Sequence, residues 1–290
     1  MTNSAMMIQE YVKEYQLPQE GVEHEWLPFQ DTFLSVQLFC QQQKETNTTT
    51  ILFIHGLFDH TGTNAPFIKH LLDKGYQVAA FDLPGHGLSG GERFQISSFQ
   101  EYQSALQTVM GKLKDWGVSN MHAVGHSTGG AVLAEYVLTN TSSSPFQKVG
   151  LISPLIRSNQ WWISKSFTPI ISLFRKQLPR KFRMNAGNKE FMQKIKNDPL
   201  QGKIISLEWV QAMFEWEKQL TQHHPVDKDI LIIQGTNDQT VDWKHNMKAY
   251  AALFPNSKRL LVDEGNHHLI NEKMEKRSLV YQLLTEYFRK

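Results

Sequence analysis

The 290-residue sequence predicts an α/β protein with a mostly parallel central sheet flanked by helices. The first observation behind this prediction is a series of short, mainly apolar runs that are typical of buried parallel strands. These runs are residues 51–54, 78–81, 121–124, 149–152, 230–233 and 259–262. The second observation is that helical patterns alternate with them, at residues 66–74, 99–116, 131–139, 244–254 and 271–288. Such alternation favours parallel pairing, because each helix crosses over the sheet before the next strand begins.

One long segment, residues 154–225, interrupts this alternation. It is rich in aromatic and basic residues, contains no run typical of a buried strand, and is too long for a plain loop. We therefore predict a helical insertion over the carboxyl edge of the sheet. The chain is then divided into a first part of the core (1–153), a helical cap (154–225) and a second part of the core (226–290).

Before the first apolar run the patterns are weaker. Residues 1–20 are polar with scattered apolar positions, which favours a short helix that ends before Pro18. Residues 30–40 predict an early strand, and the polar residues 41–50 predict a hairpin loop that leads into the next strand.

The composition limits the class of protein. Hydrophobic residues make up 40% and charged residues 20% of the chain, as in ordinary soluble globular proteins. The net charge of +2 is too small to indicate nucleic-acid binding. The single cysteine, Cys40, excludes an internal disulfide and favours a reducing compartment. Because there is no signal-peptide pattern and no apolar run long enough to span a bilayer, we expect a soluble, cytoplasmic protein.

The pentapeptide Gly125-His126-Ser127-Thr128-Gly129 reads G-x-S-x-G. An apolar run precedes it and a helical pattern follows it, which is the context of a nucleophile elbow, a strained turn that exposes the serine hydroxyl. The two glycines let the arms of such a turn approach each other. Glycine and serine are also common in ordinary strand-to-helix loops, so the pentapeptide alone allows both interpretations, and its flanks favour a nucleophilic Ser127.

A serine hydroxyl needs a base to remove its proton, and the base needs an acid to orient it. Asp238 follows the fifth apolar run, and the pair His267-His268 follows the sixth. Serine, acid and histidine, each after a strand, stand in the order expected for such a triad, so we predict Asp238 as the acid and a histidine of this pair as the base, with the choice of His267 over His268 resting on the resemblance described below. Alone, a loop aspartate is more often a turn former or a helix N-cap, a role also open to Asp242, and a loop histidine is more often a surface residue.

Two backbone N–H groups are predicted to stabilise the oxyanion that develops when a serine attacks a carbonyl. One belongs to Thr128, the residue after the nucleophile. We assign the other to Leu57 in the loop after the first apolar run, where Gly56 lets the backbone turn toward the site.

Other kinds of site fit the sequence poorly. None of the histidine pairs has a zinc-binding spacing, and no carboxylate pattern accompanies them. These pairs are His55 and His60, His122 and His126, His223 and His224, and His267 and His268. The glycine-rich residues 84–91 fit neither a phosphate-binding loop nor a dinucleotide fingerprint. We therefore expect no metal and no organic cofactor.

Six stretches carry a resemblance to a known family: residues 53–60, 81–89, 125–130, 197–200, 235–238 and 267–272. They resemble the α/β-hydrolase superfamily, in particular its monoacylglycerol lipase and lysophospholipase group, also called serine aminopeptidase S33-like or hydrolase-4. The resemblance implies an α/β-hydrolase fold, a cap over an acyl pocket, and His267 rather than His268 as the base. It leaves the acyl preference open, because Leu57 and Phe58 stand where small residues are often seen. The first 20 residues have no counterpart.

Together these features predict a serine hydrolase that cleaves carboxylic esters, with monoacylglycerols or lysophospholipids as substrates and an acyl-enzyme on Ser127. The same triad could instead cleave an amide, as in an aminopeptidase, or transfer the acyl group to an alcohol. Glu208, Glu215 and Glu217 could supply the acidic pocket that an aminopeptidase needs. A non-catalytic binding protein on the same scaffold is a further alternative.

The predicted cap combines aromatic residues with a basic cluster at residues 175–183. Aromatic side chains suit a pocket for an apolar acyl chain. The bases, beside the apolar residues 167–173, predict either contact with anionic lipid headgroups at a membrane surface or a solvated helix face around a buried aromatic core.

Overall fold

The computed structural model describes residues 3–40, 48–141 and 143–289. The strands in this part of the chain are β1 (Val22–Phe29), β2 (Thr32–Phe39), β3 (Thr50–Ile54), β4 (Gln77–Phe81), β5 (Met121–His126), β6 (Phe146–Ile152), β7 (Gln177–Pro179), β8 (Ile204–Ser206), β9 (Ile230–Gly235) and β10 (Lys258–Val262). One sheet has the order β1-β2-β4-β3-β5-β6-β9-β10, and β7 pairs with β8 alone. The neighbours from β4 to β10 pair in parallel, whereas β1 with β2 and β2 with β4 are antiparallel. The predicted α/β class is confirmed.

Helices cover both faces of the large sheet. They are α1 (Asn3–Glu14), α2 (Ala65–Asp73), α3 (Phe99–Asp115), α4 (Thr128–Thr139), α5 (Trp161–Ile171), α6 (Lys189–Asn197), α7 (Leu207–Leu220), α8 (Trp243–Leu253) and α9 (Met274–Arg289). Alternate side chains of β3 show the arrangement, since Leu52 and Ile54 join an apolar cluster with α3 and α4, while Ile51 and Phe53 join a second cluster with α2 and α9. A strand covered on both faces must be apolar throughout, which explains the continuous runs. Within the described residues, no helix combines the length and the apolar character needed to cross a bilayer.

Side-chain caps fix where several helices begin. Ser98, Asn188, Ser206 and Asp242 each accept a hydrogen bond from a backbone N–H in the first turn of α3, α6, α7 and α8, respectively. Asp242 thus has the N-cap role that the sequence left open, whereas Asp238 lies in the preceding turn.

The early part of the sheet differs from the prediction. The predicted strand at 30–40 is β2, but β1 was not predicted, because its side chains are half-buried and mix charged with apolar residues. It pairs with β2 over its whole length, with Val22 opposite Phe39 and Phe29 opposite Thr32. The prediction of a hairpin between β2 and β3 is wrong, because β4 lies between them in the sheet. Residues 41–47 of that loop lie outside the described residues.

The last strand, β10, is also less buried than a continuous apolar run suggests. It forms one edge of the sheet, and only Val262 of its residues is buried. Its first four residues are exposed on both faces, which explains the basic residues Lys258 and Arg259 in this strand.

The segment between β6 and β9 contains α5, β7, α6, β8 and α7. The helices agree with a helical insertion, while the β7–β8 pair was not predicted, because three-residue strands give no recognisable alternation. The insertion reaches the loop after β3: a Cβ atom on Gly202 would overlap the Phe58 ring, and the Arg180 guanidinium carbon lies 4.0 Å from the centre of that ring. The insertion therefore lies against the carboxyl end of β3. The boundaries 154–225 for a cap stay a prediction.

Candidate active site

The elbow between β5 and α4 holds Ser127 in an unusual backbone conformation, with φ of 52° and ψ of −114°. Residues other than glycine rarely adopt a positive φ, so the surrounding packing must maintain this strain. A Cβ atom on Gly125 would overlap the backbone of Gly129, and a Cβ atom on Gly129 would overlap the carbonyl oxygen of Ile54. The two glycines therefore allow β3, β5 and α4 to meet at the serine.

Ser127, His267 and Asp238 form one hydrogen-bonded chain. The His267 Nε2 atom lies 3.0 Å from the Ser127 Oγ atom, and the His267 Nδ1 atom lies 2.7 Å from Asp238 Oδ2. The three residues follow β5, β10 and β9, whose carboxyl ends lie along the same edge of the sheet. All three are buried, with between 4% and 7% of their surface exposed. The structure thus brings these three predicted residues together, and their catalytic roles stay predictions.

Several donors hold Asp238 as a carboxylate. Besides His267, the Thr240 N–H, the Val241 N–H and the Gln234 side chain donate to its oxygens, at 2.8, 3.1 and 3.0 Å. Burial raises the pKa of Asp238, but the attraction to His267 and these hydrogen bonds outweigh it and lower the pKa below its ordinary value. The sequence analysis did not identify Gln234, although a polar residue at the end of an apolar strand could have indicated a position in the site.

The ionised acid determines where the proton of His267 lies. A carboxylate can only accept, so the Nδ1–H group of His267 donates to Asp238, and Nε2 is left to accept the proton of the Ser127 hydroxyl. His126 supports this orientation from behind, because its Nε2 atom lies 3.2 Å from the His267 carbonyl oxygen. Burial, together with the neighbouring His268 and His267, lowers the pKa of His126 well below its ordinary value, so its ring is neutral.

The two predicted oxyanion donors lie close to Ser127. Thr128 is the first residue of α4, so its N–H has no partner inside the helix. Leu57 follows Gly56, whose backbone comes so near the elbow that an added Cβ atom would lie 3.1 Å from the Ser127 Cβ atom. In the described part of the chain, no backbone hydrogen bond engages the N–H of Leu57 or of Thr128. Both groups are thus available, and their role as oxyanion donors stays a prediction.

A second buried aspartate–histidine pair lies beside the first, and the sequence did not reveal it. The Asp59 Oδ2 atom lies 3.2 Å from the His268 Nε2 atom, and Asp59, His126 and His268 place one potential metal ligand each within 4.8 Å of one another. However, the carboxylate already accepts four hydrogen bonds. Its donors are the His60 N–H, the Thr63 hydroxyl, the Asn64 amide and His268. Since a carboxylate offers about four acceptor positions, a cation would have to displace one of these donors. We interpret the cluster as a hydrogen-bonded network.

A cavity of about 680 Å³ opens between α1, α2 and α6, and neither Ser127 nor His267 lines it. Phe191 of α6 is part of its wall and packs edge-on against the His268 ring, with 4.9 Å between the ring centres. Phe191 therefore connects the wall of this cavity to the His268 ring.

The mostly parallel sheet, the strained serine after β5, and the acid and histidine after later strands define an α/β-hydrolase fold with a serine-centred site. The model of the Hydrolase_4 family, described as "Serine aminopeptidase, S33", matches residues 45–274. The chain belongs to this family. The predicted resemblance is confirmed.

Individual relatives agree with this family. The human monoglyceride lipase is 26% identical over 257 residues, which cover 82% of this chain and 81% of the relative. The phospholipase YtpA of Bacillus subtilis (strain 168) is 25% identical over 234 residues, with 78% and 90% covered. The solved structure of a soluble variant of the Saccharomyces cerevisiae monoglyceride lipase, in complex with a substrate analog, superposes with a TM-score of 0.75 at 17% identity and covers 91% of this chain and 93% of that one. The likeness to this structure supports the α/β-hydrolase fold.

Proposed function

We propose that the protein is a serine carboxylic ester hydrolase that acts on lipid-like esters such as monoacylglycerols or lysophospholipids. The observation that carries this proposal is the chain of hydrogen bonds from Ser127 through His267 to Asp238, at 3.0 and 2.7 Å. A monoglyceride lipase and a phospholipase among the relatives support lipid esters as the substrate class.

The reaction follows from this geometry. As the Ser127 Oγ atom attacks the ester carbonyl, His267 Nε2 takes the hydroxyl proton, and the Asp238 carboxylate stabilises the resulting imidazolium. The N–H groups of Leu57 and Thr128 donate to the oxyanion of the tetrahedral intermediate. His267 then protonates the leaving alcohol, and an acyl-enzyme on Ser127 remains. A water molecule, deprotonated by His267, hydrolyses it and regenerates the serine.

Residues 154–225 serve as the cap in this proposal. Phe58, which stands where the family often has small residues, packs its ring 5.2 Å from that of Phe94 and beneath Arg180 of the insertion. Its bulk therefore fills the junction between the oxyanion loop and the cap. We expect this junction to limit the acyl pocket on that side.

Amide cleavage by an aminopeptidase is less favoured, because the candidate acidic residues are neutralised or exposed. Glu217 is buried and binds Arg157 at 2.5 Å and Lys165 at 3.6 Å. Glu215 is exposed and pairs with a lysine of its own helix, and Glu208 is exposed in the first turn of α7. These carboxylates do not form a pocket for a free substrate amine.

The test is hydrolysis of p-nitrophenyl esters from short to long acyl chains by the wild-type protein and by Ser127→Ala. We expect turnover to rise with chain length and to vanish in the variant, while Ser257→Ala, which alters a buried serine at the end of α8, retains it. A preference for short chains would favour a small-ester substrate. Product analysis with added alcohol would reveal acyl transfer, and absence of any serine-dependent turnover would favour a binding protein.

We also propose that the cap contacts a membrane surface through α5. Trp161 and Thr168 of this helix are buried, whereas the apolar side chains on its outer face and just beyond its end are 56% to 82% exposed. These side chains are Trp162, Ile163, Phe167, Ile170, Leu173 and Phe174. Exposed cations follow in the chain, at Arg175, Lys176, Lys181 and Arg183. An apolar helix face next to cations is suited to a surface of anionic lipid.

Arg180 does not belong to this exposed group. Its guanidinium lies over the Phe58 ring and donates to the Gln201 side chain and the Gly202 carbonyl, at 3.2 and 3.1 Å. Burial lowers the pKa of Arg180 to about 10. A substitution there would disturb the cap, so the surface charge must be tested elsewhere.

Sedimentation with anionic and with neutral vesicles at low salt tests the membrane proposal. Lys181→Glu with Arg183→Glu, and separately Phe167→Glu with Phe174→Glu, should lose binding to the anionic vesicles. Lys218→Glu, which changes an exposed charge on α7, should retain it. Unchanged binding by the double variants would leave the solvated helix face as the correct interpretation.

For the cellular location, we propose the cytoplasm. Cys40 is the single cysteine of the chain and lies buried. A protein with one cysteine has no intramolecular disulfide to gain from an oxidising compartment. Cell fractionation tests this, and recovery of the protein outside the cytoplasm would contradict it.

A further inference from the structure

The N-terminal helix α1 packs against the loop that follows the proposed oxyanion donor. This helix lies outside residues 45–274, which match the family model. Tyr11 and Val12 of the helix and Leu17 just beyond it are buried in the cluster that also contains α2 and α9. A Cβ atom on Gly62 would lie 2.5 Å from the Tyr15 ring and 2.9 Å from the Tyr11 hydroxyl. Only a glycine lets the helix approach the loop this closely.

The Tyr11 hydroxyl forms a hydrogen bond with a buried histidine, His60, in that loop. It accepts a hydrogen bond from the Gly62 N–H at 2.6 Å and lies 2.8 Å from His60 Nδ1. Because the Asp198 carboxylate beside Nε2 can only accept, a neutral His60 carries its proton on Nε2, and its Nδ1 atom accepts the Tyr11 hydroxyl proton. That Nε2 atom lies 3.0 Å from Asp198 Oδ2 of the insertion. Each hydrogen bond from Tyr11 through His60 to Asp198 therefore has one donor and one acceptor.

Tyr15, one turn later, holds the same carboxylate from the other side. Its hydroxyl donates to Asp198 Oδ1 at 2.8 Å, and the same oxygen accepts the Leu200 N–H at 2.8 Å. Burial raises the pKa of Asp198, but the hydrogen bond and electrostatic attraction of His60, together with the hydrogen bonds of Leu200 and Tyr15, outweigh it and lower the pKa. Asp198 thus joins the end of α6 to both α1 and the loop after β3.

The loop held by Tyr11 also contacts His268, the residue next to the proposed base. His60 directly follows Asp59, whose carboxylate accepts from His268, the neighbour of His267. Leu57 lies in the same loop, three residues before His60. A displacement of His60 would therefore also move the proposed oxyanion donor, Leu57, and the segment that contains the proposed base.

We propose that α1 belongs to the active-site architecture, and that Tyr11 and Tyr15 are positioning residues with separate effects. Tyr11 holds the oxyanion loop through His60, so it acts on the transition state. Tyr15 holds the insertion through Asp198, so it acts on substrate binding beneath the cap. This inference rests on the proposed ester hydrolysis, and it adds residues that lie outside the part of the chain matched by the family model.

The test compares kcat and KM for a long-chain p-nitrophenyl ester in Tyr11→Phe, Tyr15→Phe and a matched control. We expect Tyr11→Phe to lower kcat about tenfold with KM within about twofold, because a misplaced donor weakens only the transition state. Tyr15→Phe should raise KM by about three- to tenfold with kcat within about twofold. Asp198→Asn, which alters the partner of both Tyr15 and His60, should raise KM and lower kcat together.

Tyr102→Phe is the control, because the Tyr102 hydroxyl is equally buried but bonds the Trp209 indole, at 3.0 Å, away from the oxyanion loop. It should lower the melting temperature without changing kcat or KM. If Tyr11→Phe and Tyr15→Phe leave both constants unchanged, or alter them only as Tyr102→Phe does, the inference is wrong.

Labelling of Ser127 by a fluorophosphonate separates this inference from the proposed function. The phosphoryl oxygen of the tetrahedral adduct accepts from the same oxyanion donors, and labelling requires no ester turnover. If the wild-type protein cleaves no ester but is labelled, the proposed substrate class fails, and slower labelling of Tyr11→Phe would still support its positioning role. Equal labelling rates in wild type and Tyr11→Phe would overturn that role. A wild-type protein that neither turns over esters nor is labelled would overturn both.

Discussion

Two consecutive histidines, His267 and His268, each bond a buried aspartate, yet only one reaches the serine. His267 uses Nδ1 to bond Asp238 and leaves Nε2 for the Ser127 hydroxyl, at 3.0 Å. His268 uses Nε2 to bond Asp59, and its Nδ1 atom lies 3.4 Å from the Asn271 amide. The Nε2 atom of His268, which corresponds to the atom of His267 that faces the serine, is therefore bound to Asp59.

This difference teaches that an aspartate–histidine pair does not by itself bring a ring nitrogen to the serine. Both rings are buried. Burial raises the pKa of Asp238 and of Asp59, but hydrogen bonds and the attraction of nearby histidines outweigh it, so both pKa values lie below their ordinary value. Local chemistry is thus similar in the two pairs. Only His267 places its second ring nitrogen within hydrogen-bond distance of the Ser127 hydroxyl, whereas both ring nitrogens of His268 lie near other partners.

The most direct test of the difference between the two histidines is to replace each of them by glutamine. His267→Gln should lower kcat by about 10⁴-fold or more, because loss of a triad member removes general-base catalysis. His268→Gln should lower kcat by less than about tenfold, since it alters only the support of the loop. Steady-state kinetics with a p-nitrophenyl ester measures both, and circular dichroism checks the fold. Equal losses would mean that the two histidines share the role.

The aspartates should differ in a second way. Asp238→Asn should lower kcat by about 10³- to 10⁴-fold, because an amide in place of the carboxylate favours the wrong His267 tautomer. Asp59→Asn should change kcat by less than about tenfold but lower the free energy of unfolding by about 1–3 kcal/mol, because it leaves buried donors without their acceptor. Kinetics and urea unfolding of the same preparations separate the two effects. A larger kinetic loss in Asp59→Asn than in Asp238→Asn would reverse the assignment.

The smallest effect concerns acid stability, which both pairs should share. The folded-state pKa values of Asp59 and Asp238 lie below the unfolded value of about 3.9, so the stabilisation is fully present above that value. It should be lost progressively as pH falls below about 4, because the unfolded chain then binds protons that the folded chain does not. Urea unfolding between about pH 3 and pH 7 should show this decline, and Asp59→Asn should flatten it. An unchanged slope in the variant would show that Asp59 does not contribute.

The sequence predicted the parallel part of the sheet well and its antiparallel edge poorly. Strands β3, β4, β5, β6 and β9 are buried on both faces, and each leaves a continuous apolar run in the sequence. In contrast, β1 is half-buried, and the three-residue strands β7 and β8 are too short to show a period. The predicted hairpin was wrong because sequence order does not specify sheet order, and β4 inserts between β2 and β3.

The sequence by itself determined the fold class, the family, and the order of Ser127, Asp238 and His267 at strand ends. Local constraints are sufficient for these, since the elbow needs glycines and buried strands need apolar residues. The tertiary structure decided that the Asp59–His268 pair lies beside the proposed triad, that Arg180 lies over Phe58, and that α1 contacts His60. These three contacts join side chains that are 209, 122 and 49 residues apart in the sequence, respectively. No local sequence pattern predicts such contacts, because they depend on how the crossover connections bring the loops to one edge of the sheet.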